Sequence, residues 1–271
     1  MPKTPAKHSL PSLIAPAEHA EYIRSRHPNA ELETCKGVVL LYQNSVLRRA
    51  VSRHRPTLQE GWCRGELWFM EYEGVPVALC GRFGLGAPAT ALVLEQLASL
   101  GASAVVAVGT AATLSPELDA GSVVLCDRAL RDEGTSHHYA PAAPYAYADP
   151  ALTSAYACSL SAASLPYTPA VSWTTDAPYR ETKAEVEAYQ RCGLTTADME
   201  ASALFTVAAY RGVAAAVGMA IADSLVERGP RQERPEVASS LDRLVDAALT
   251  TFVSQSTDSR GPNHSDGGME Q

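Results

Sequence analysis

The sequence predicts an α/β fold built on buried, largely parallel strands, on two observations. From Thr195 to Leu225 the chain reads as a helix, a glycine stop and a strand. Leu204, Val207, Ala208 and the stem of Arg211 recur at helical spacing, Gly212 follows, and Val213–Ile221 is apolar without a break. A strand covered on both faces has no polar side to show, so it reads as a continuous apolar run. The second observation is a strand–glycine turn–helix–strand succession running from Val75 to Val108, the pattern of a βαβ unit.

The remaining elements follow in order. Gly37–Tyr42 is a first strand, then Gln43-Asn44-Ser45 leads into a basic helix, Val46–Arg55. Leu67–Cys80 divides at Glu73-Gly74 into WFMEY and VPVALC, a hairpin pattern. A glycine turn, Gly81–Pro88, opens the apolar helix Ala89–Leu100, and Gly101 separates that helix from the strand Ala104–Val108. Val123–Cys126 and Ala170–Trp173 are short strands, with a surface crossing and short helix over Ala140–Ser161 between them. Asp176 or Thr182 caps a helix over Lys183–Cys192. Glu227–Pro235 reads as a charged loop. Val237, Leu241, Leu244, Val245, Ala248 and Phe252 give the helix Glu236–Gln255 one apolar face, directed to the core. No internal repeat is present. Residues 1–16 and 256–271 read as mobile, polar segments flanking one domain over 17–255.

Composition excludes several functions. The 271 residues carry 22 Lys plus Arg against 30 Asp plus Glu, a formal charge of −8, which argues against nucleic-acid binding by phosphate neutralisation. No apolar run approaches the roughly 20 residues that span a bilayer, so no membrane partner is expected. Met1–Leu13 holds Lys3, Lys7 and three prolines without an apolar signal core. The six cysteines (Cys35, Cys63, Cys80, Cys126, Cys158, Cys192) form no Cys-x-x-Cys pair, and their spacing suits reduced thiols in the cytoplasm.

In open α/β sheets the ligand crevice lies outside the carboxyl ends of the strands. The unit over 195–225 brings two carboxylates there, Glu200 at the start of its helix and Asp223 at the end of its strand. Each also has a purely structural reading: Glu200 favours the helix dipole beside an Asp198 N-cap, and Asp223 caps the segment that follows. Two glycine turns, Gly81–Gly86 and Gly109-Thr110, expose backbone N–H groups at the same rim. His137-His138-Tyr139 invites a metal, but adjacent histidines point apart on a regular backbone and no third ligand is signalled, so no metal is expected.

Several of these strings, in order from about Gly61 to Leu225, resemble the purine/uridine phosphorylase family. Asp198-Met199-Glu200-Ala201-Ser202-Ala203 is similar to that family's Met-Glu-(Ala/Ser) signature. Arg131-Asp132-Glu133-Gly134-Thr135-Ser136 is similar to its Arg-Asp-Glu-Gly-Thr-Ser segment, and Gly109-Thr110-Ala111-Ala112 to its Gly-Thr-x-Gly turn. The resemblance implies a single-domain three-layer α/β/α fold with a mixed, largely parallel sheet. It implies that Met199 packs on a nucleoside and Glu200 binds ribose hydroxyls. Gly109 and Thr110 would hold phosphate or ribose, and Asp223 would supply an acid to the base. His138 would reach the 5′ end from a neighbouring subunit, while Tyr179 and Arg180 would face the base. Without the resemblance, Thr110 is a turn hydroxyl, His138 an exposed loop residue and Tyr179 ordinary packing.

Two departures concern the phosphate. The family's phosphorylases carry a Gly-Asp-Pro-x-x-Arg-like loop after the first strand and an Arg two residues before the Gly-Thr turn. Here Tyr42-Gln43-Asn44-Ser45 and Ala107 stand in those places. Arg48, Arg64 or Arg82 would have to substitute, Arg82 first. The hydrolytic relatives carry a Glu after the first strand, and none stands here. The expected function is therefore a nucleoside phosphorylase, a pentosyltransferase that takes inorganic phosphate as co-substrate, uses no cofactor and assembles as a dimer or hexamer. A nucleosidase using water and a non-catalytic nucleoside-binding homologue are the alternatives. Asp223 favours a purine and the His137-His138-Tyr139 loop a uridine-type substrate.

Overall fold

The structure, a computed structural model, describes residues 4, 6–29, 35–59, 64–229, 232 and 234–258. Gly61 and Cys63, part of Glu227–Pro235 and the segment after residue 258 lie outside the described residues.

Apolar periodicity places most elements where the sequence predicts them. The first half contains α1 (Pro16–Arg26), β1 (Gly37–Leu41), α2 (Asn44–His54), β2 (Thr57–Leu58), β3 (Glu66–Tyr72), β4 (Val75–Gly81), α3 (Ala87–Ser99) and β5 (Ala104–Thr113). The second contains β6 (Val123–Asp132), β7 (Tyr145–Tyr147), α4 (Pro150–Ala162), β8 (Thr168–Thr175), α5 (Lys183–Arg191), β9 (Thr196–Asp198), α6 (Ala201–Arg211), β10 (Ala214–Ser224) and α7 (Pro235–Asp258). The β3–β4 hairpin turns through Glu73 and Gly74, both at positive φ (50° and 78°), the geometry of a two-residue primed turn. Thr182 caps α5, its hydroxyl accepting from the Glu185 N–H, and Glu185 returns the bond to the Thr182 N–H.

The sheet is mixed. β1–β4, β1–β5, β5–β10, β6–β8 and β8–β9 pair in parallel, whereas β2–β3, β3–β4, β6–β7, β6–β10 and β5–β9 are antiparallel. The pairings close a circuit, β5–β10–β6–β8–β9 and back to β5, with β1, β4, β3 and β2 extending from β5. Helices cover both faces. One core packs α1, α3 and α6 on the sheet through residues such as Ile23, Leu94, Leu97, Leu204 and Phe205. The other packs α2, α4 and α7 through Leu47, Tyr156, Leu244, Val245 and Phe252. The three-layer α/β/α expectation holds.

The differences lie in strand length. β5 does not stop at Val108: it continues through Gly109 and Thr110 to Thr113, so the expected glycine turn is strand. β6 likewise runs past Cys126 through polar residues to Asp132, and β10 reaches Ser224. In each case a neighbour continues the ladder beyond the apolar run: β9 and β10 for β5, and β8 for β6. Backbone pairing extends strands where side-chain pattern gives no signal. Ala140–Ser161 also holds more structure than expected, a strand β7 and a 13-residue helix α4 whose Asp149 cap accepts from Leu152 N.

Gly37 is required by packing. A Cβ there would lie 2.0 Å from Cε1 of the fully buried Phe252. Gly37→Ala should destabilise the protein by about 1–3 kcal/mol through overpacking, and Phe252→Leu in the same chain should recover part of that loss. Urea unfolding of the two variants and their combination checks both expectations.

Candidate active site

The crevice is organised by a buried carboxylate. β9 pairs antiparallel with the extension of β5, Ala197 opposite Ala112 and Thr196 opposite Thr113. The turn after β9 therefore comes to lie beside Gly109 and Thr110. Asp198 closes β9, and its carboxylate accepts four hydrogen bonds. Oδ1 takes the hydroxyls of Ser172 and Thr174, both at 2.8 Å, while Oδ2 takes the N–H groups of Glu200 and Ala201 at 2.7 and 2.6 Å. Asp198, expected as the N-cap of α6, instead ends β9: Glu200 is the N-cap residue of α6, and Asp198 reaches the helix start through its side chain because β9 carries it there. Burial pushes its carboxyl above the usual range and the four donors oppose that.

Glu200, fixed by that turn, directs its carboxyl across the crevice, where Oε1 accepts the Gly86 N–H at 2.7 Å. Gly86 has φ 86°, a conformation glycine adopts without strain, and this aims its N–H at the carboxylate. Met199 Cε lies 3.9 Å from the Cβ position of Gly86, on the same side. Burial and then the charge of Asp198 push the Glu200 carboxyl up to about 7, against the pull of the Gly86 N–H. An acid with that value sits near half-ionisation at neutral pH, the range suited to a group whose charge matters in a transition state.

Below Glu200 a cavity of about 10 Å³ is lined by Tyr42, Gly109, Thr110, Asp198, Glu200 and their apolar neighbours. Thr110 Oγ1 accepts from Gln43 Nε2 at 3.0 Å, which leaves its own proton for a ligand. Tyr42 is buried over Gly109, whose Cβ position lies 3.1 Å from the ring, and it stacks edge-on against Phe83 with 5.5 Å between ring centres. Its hydroxyl accepts from Thr90, and burial raises its pKa well above the ordinary phenol value.

The Arg131–Ser136 segment lies beneath α6 as a support. Glu133 accepts the Ser202 hydroxyl at 2.9 Å and the Ser136 N–H, and Arg131 donates to Ser136 Oγ and to the carbonyl of Pro141. Trp173 Nε1 bonds Asp132 at 2.8 Å, and Asp176 accepts from Gly134 N at 2.8 Å. These bonds lock the start of α6, and with it Glu200.

The other sequence candidates are dispersed. Asp223 lines a separate cavity of about 200 Å³ with Ser115, Asp119 and Glu227. It is ion-paired to Arg228 at 2.9 Å. Glu181, half-buried and pushed up in pKa by burial, feels both of these charges. Arg228 and Glu181 are the members of this cluster that sequence reasoning missed: Glu181 stands in the Thr174–Thr182 run but was given no role there, and Arg228 stands in no motif. Arg82 does not line the Glu200 cavity; its guanidinium pairs with Glu66 at 2.9 Å on the surface. Tyr179 is 95% exposed and Arg180 is exposed beside it, so neither packs in a cavity here. His138 takes Lys7 Nζ on Nδ1 at 2.6 Å, beside Tyr139 and α3, and burial and that ammonium lower its pKa. Tyr42, Gln43, Ser172 and Thr174 are the site residues whose roles needed the fold to appear.

This geometry defines an α/β protein with a carboxylate poised over a strand-end crevice. Residues 50–253 match the phosphorylase superfamily, and the chain belongs to that family. The uridine phosphorylase of Escherichia coli strain K12 is 30% identical over 182 residues, which cover 62% of this chain and 70% of that protein. The guanosine phosphorylase of Halorubrum lacusprofundi is 29% identical over 190 residues, 67% of this chain and 78% of that one. Among solved structures, uridine phosphorylase from Vibrio fischeri ES114 complexed with 6-hydroxy-1-naphthoic acid superposes with a TM-score of 0.73 at 26% identity. That match covers 87% of this chain and 99% of the other. A Toxoplasma gondii purine nucleoside phosphorylase shares the fold, with a TM-score of 0.75 at 18% identity over 83% and 93% of the two chains.

Because Glu200 is raised from 4.5 to about 7, its ionisation opposes folding. The penalty is absent below pH 4.5, where the carboxyl is protonated in both states, and complete above pH 7. Glu200→Gln keeps an acceptor for the Gly86 N–H and removes the charge. The variant should gain stability over the wild type as pH rises from 5 to 8, by up to about 3 kcal/mol at roughly 1.4 kcal/mol per pKa unit. Thermal melts of both proteins across that range measure the gain.

Proposed function

We propose that the protein is a nucleoside phosphorylase, cleaving the N-glycosidic bond of a purine or pyrimidine nucleoside with phosphate to give free base and ribose 1-phosphate. The observation that carries this reading is the Glu200 carboxyl, anchored on the Gly86 N–H and suspended beside Met199 and the Thr110 hydroxyl at the strand ends. The names of the relatives, uridine and guanosine phosphorylases, support it.

In this mechanism Met199 packs on the nucleoside and Glu200 binds the ribose hydroxyls, stabilising the sugar as it becomes oxocarbenium-like. Thr110 donates its free proton to the phosphate or ribose, with the Gly109 backbone at its side. Asp223 serves the leaving base. In this structure its Oδ2 accepts from Arg228, so contact with the base requires Arg228 to give way. Arg82 would have to release Glu66, and Tyr179 and Arg180 to turn inward, to act in the crevice. His138 would serve a neighbouring subunit in a dimer or hexamer. A cytoplasmic location fits the free cysteines among the described residues, of which Cys35, Cys80 and Cys126 are buried; no helix among the described residues is long and apolar enough to cross a membrane.

Base release from a panel of nucleosides with phosphate tests the reading. Glu200→Ala should lower kcat/KM by about 100-fold or more, the scale of a group that acts on developing charge. Tyr179→Ala should change it by less than about 3-fold, within the effect expected of an exposed surface substitution. Activity unaffected by Glu200→Ala would overturn the assignment.

A further inference from the structure

We propose that Thr174 is a positioning residue for Glu200: its hydroxyl occupies a helix N–H that would otherwise recapture the Glu200 carboxyl and turn it out of the crevice. The consequence for activity rests on the reading that Glu200 acts on the sugar.

The first turn of a helix leaves backbone N–H groups without intrahelical partners. The side chain of the N-cap residue ordinarily folds back to accept one of them, from the second or third residue of the helix. Glu200 is the N-cap residue of α6, yet its side chain makes no such bond. Its Oε1 reaches across the crevice instead, to the Gly86 N–H at 2.7 Å.

Other groups do the capping. Asp198 Oδ2 accepts from the Glu200 and Ala201 N–H groups at 2.7 and 2.6 Å. The next donor, the Ser202 N–H, goes to Thr174 Oγ1 at 3.0 Å. Thr174 belongs to β8 and is fully buried, as is Ser202. Its hydroxyl is used twice, because it also donates to Asp198 Oδ1 at 2.8 Å. A hydroxyl has one proton and two acceptor positions, so both bonds form at once. Ser202 Oγ donates to Glu133 at 2.9 Å, and Glu133 holds the Ser136 N–H in the loop that carries His138. Both donors of Ser202 are thus spent, one on Thr174 and one on Glu133.

Without the Thr174 hydroxyl, the Ser202 N–H becomes a buried donor with no partner, a costly state. The Glu200 carboxylate belongs to the N-cap residue two positions earlier and is placed to take that N–H, giving up Gly86. Ser172 provides the contrast. Its hydroxyl also donates to Asp198 Oδ1 at 2.8 Å, but it bonds no α6 N–H among the described residues. Removing it withdraws a donor from Asp198 and leaves the Ser202 N–H capped.

Hydrogen exchange at the Gly86 amide of the full chain, taken relative to β5 amides, reads the place of Glu200 without any substrate. Thr174→Val keeps the shape and loses the hydroxyl, and it should speed that exchange by about 10-fold or more. Thr174→Ser and Ser172→Ala should each change it by less than about 3-fold. Base release from the nucleoside panel with phosphate gives a second readout. Thr174→Val should lower kcat/KM by about 10-fold, but by less than about 2-fold further in a Glu200→Ala background, since residues that act through one group are not additive. Unchanged Gly86 exchange in folded Thr174→Val, or equal acceleration in Ser172→Ala, would overturn the proposal, as would an additive loss in the double variant. Should Thr174→Val melt below the assay temperature, Thr174→Cys, of similar size with a weak S–H, takes its place. Faster Gly86 exchange together with activity that survives Glu200→Ala would uphold the positioning of Glu200 and overturn the glycosidic reading instead.

Discussion

The site depends on one buried carboxylate. Asp198 ends a three-residue strand that could not hold its position alone, and its four hydrogen bonds tie β8, β9 and the start of α6 into one unit. A buried charge is tolerated only when it is fully hydrogen-bonded, and here two strand hydroxyls and two helix N–H groups supply what water would. Everything that Glu200 can do follows from this. The turn has a single conformation, the carboxyl faces Gly86, and the proximity of Asp198 raises its pKa.

Two carboxylates are thus held close together, one satisfied and one exposed to the ligand. Asp198 has no bonding capacity left for a substrate. Glu200 is bonded to the backbone of Gly86 and Met199 and is not saturated as Asp198 is. This division of labour gives up stability at neutral pH for a carboxyl held near half-ionisation in the crevice. The Arg131–Ser136 segment completes the frame: Glu133 binds Ser202, the second residue of α6, so the helix is held by carboxylates at two successive positions.

The acceptor side contrasts with the sugar side. Tyr42 and Gln43, directly after β1, fill the space next to Gly109 and Thr110 with an aromatic ring and a carboxamide. Among the described residues no Lys or Arg lines the cavity, and burial together with the charge of Asp198 holds the Glu200 carboxyl up.

The sequence by itself determined the layers and the principal carboxylate. Uninterrupted apolar runs such as Val213–Ile221 could be satisfied only by a sheet covered on both faces, and Gly212, at φ 68°, ended α6 where expected. Asp198 and Glu200 were legible as acids at the start of α6, but their places were exchanged: Glu200 is the N-cap residue and Asp198 ends β9, a strand that the apolar pattern did not signal. Tertiary structure decided the rest. Whether Gly109–Ala112 was turn or strand depended on a partner 85 residues away, Ala197 opposite Ala112. Asp223 stood at the strand end as predicted, but its direction was set by Arg228 in the following loop, and Arg82 was drawn outward by Glu66 from another strand. Tyr179, which the family resemblance turned toward the base, lies in solvent. Periodicity records which face of an element is buried; it carries no information on which distant charge a side chain will meet, and that pairing is what shapes a site.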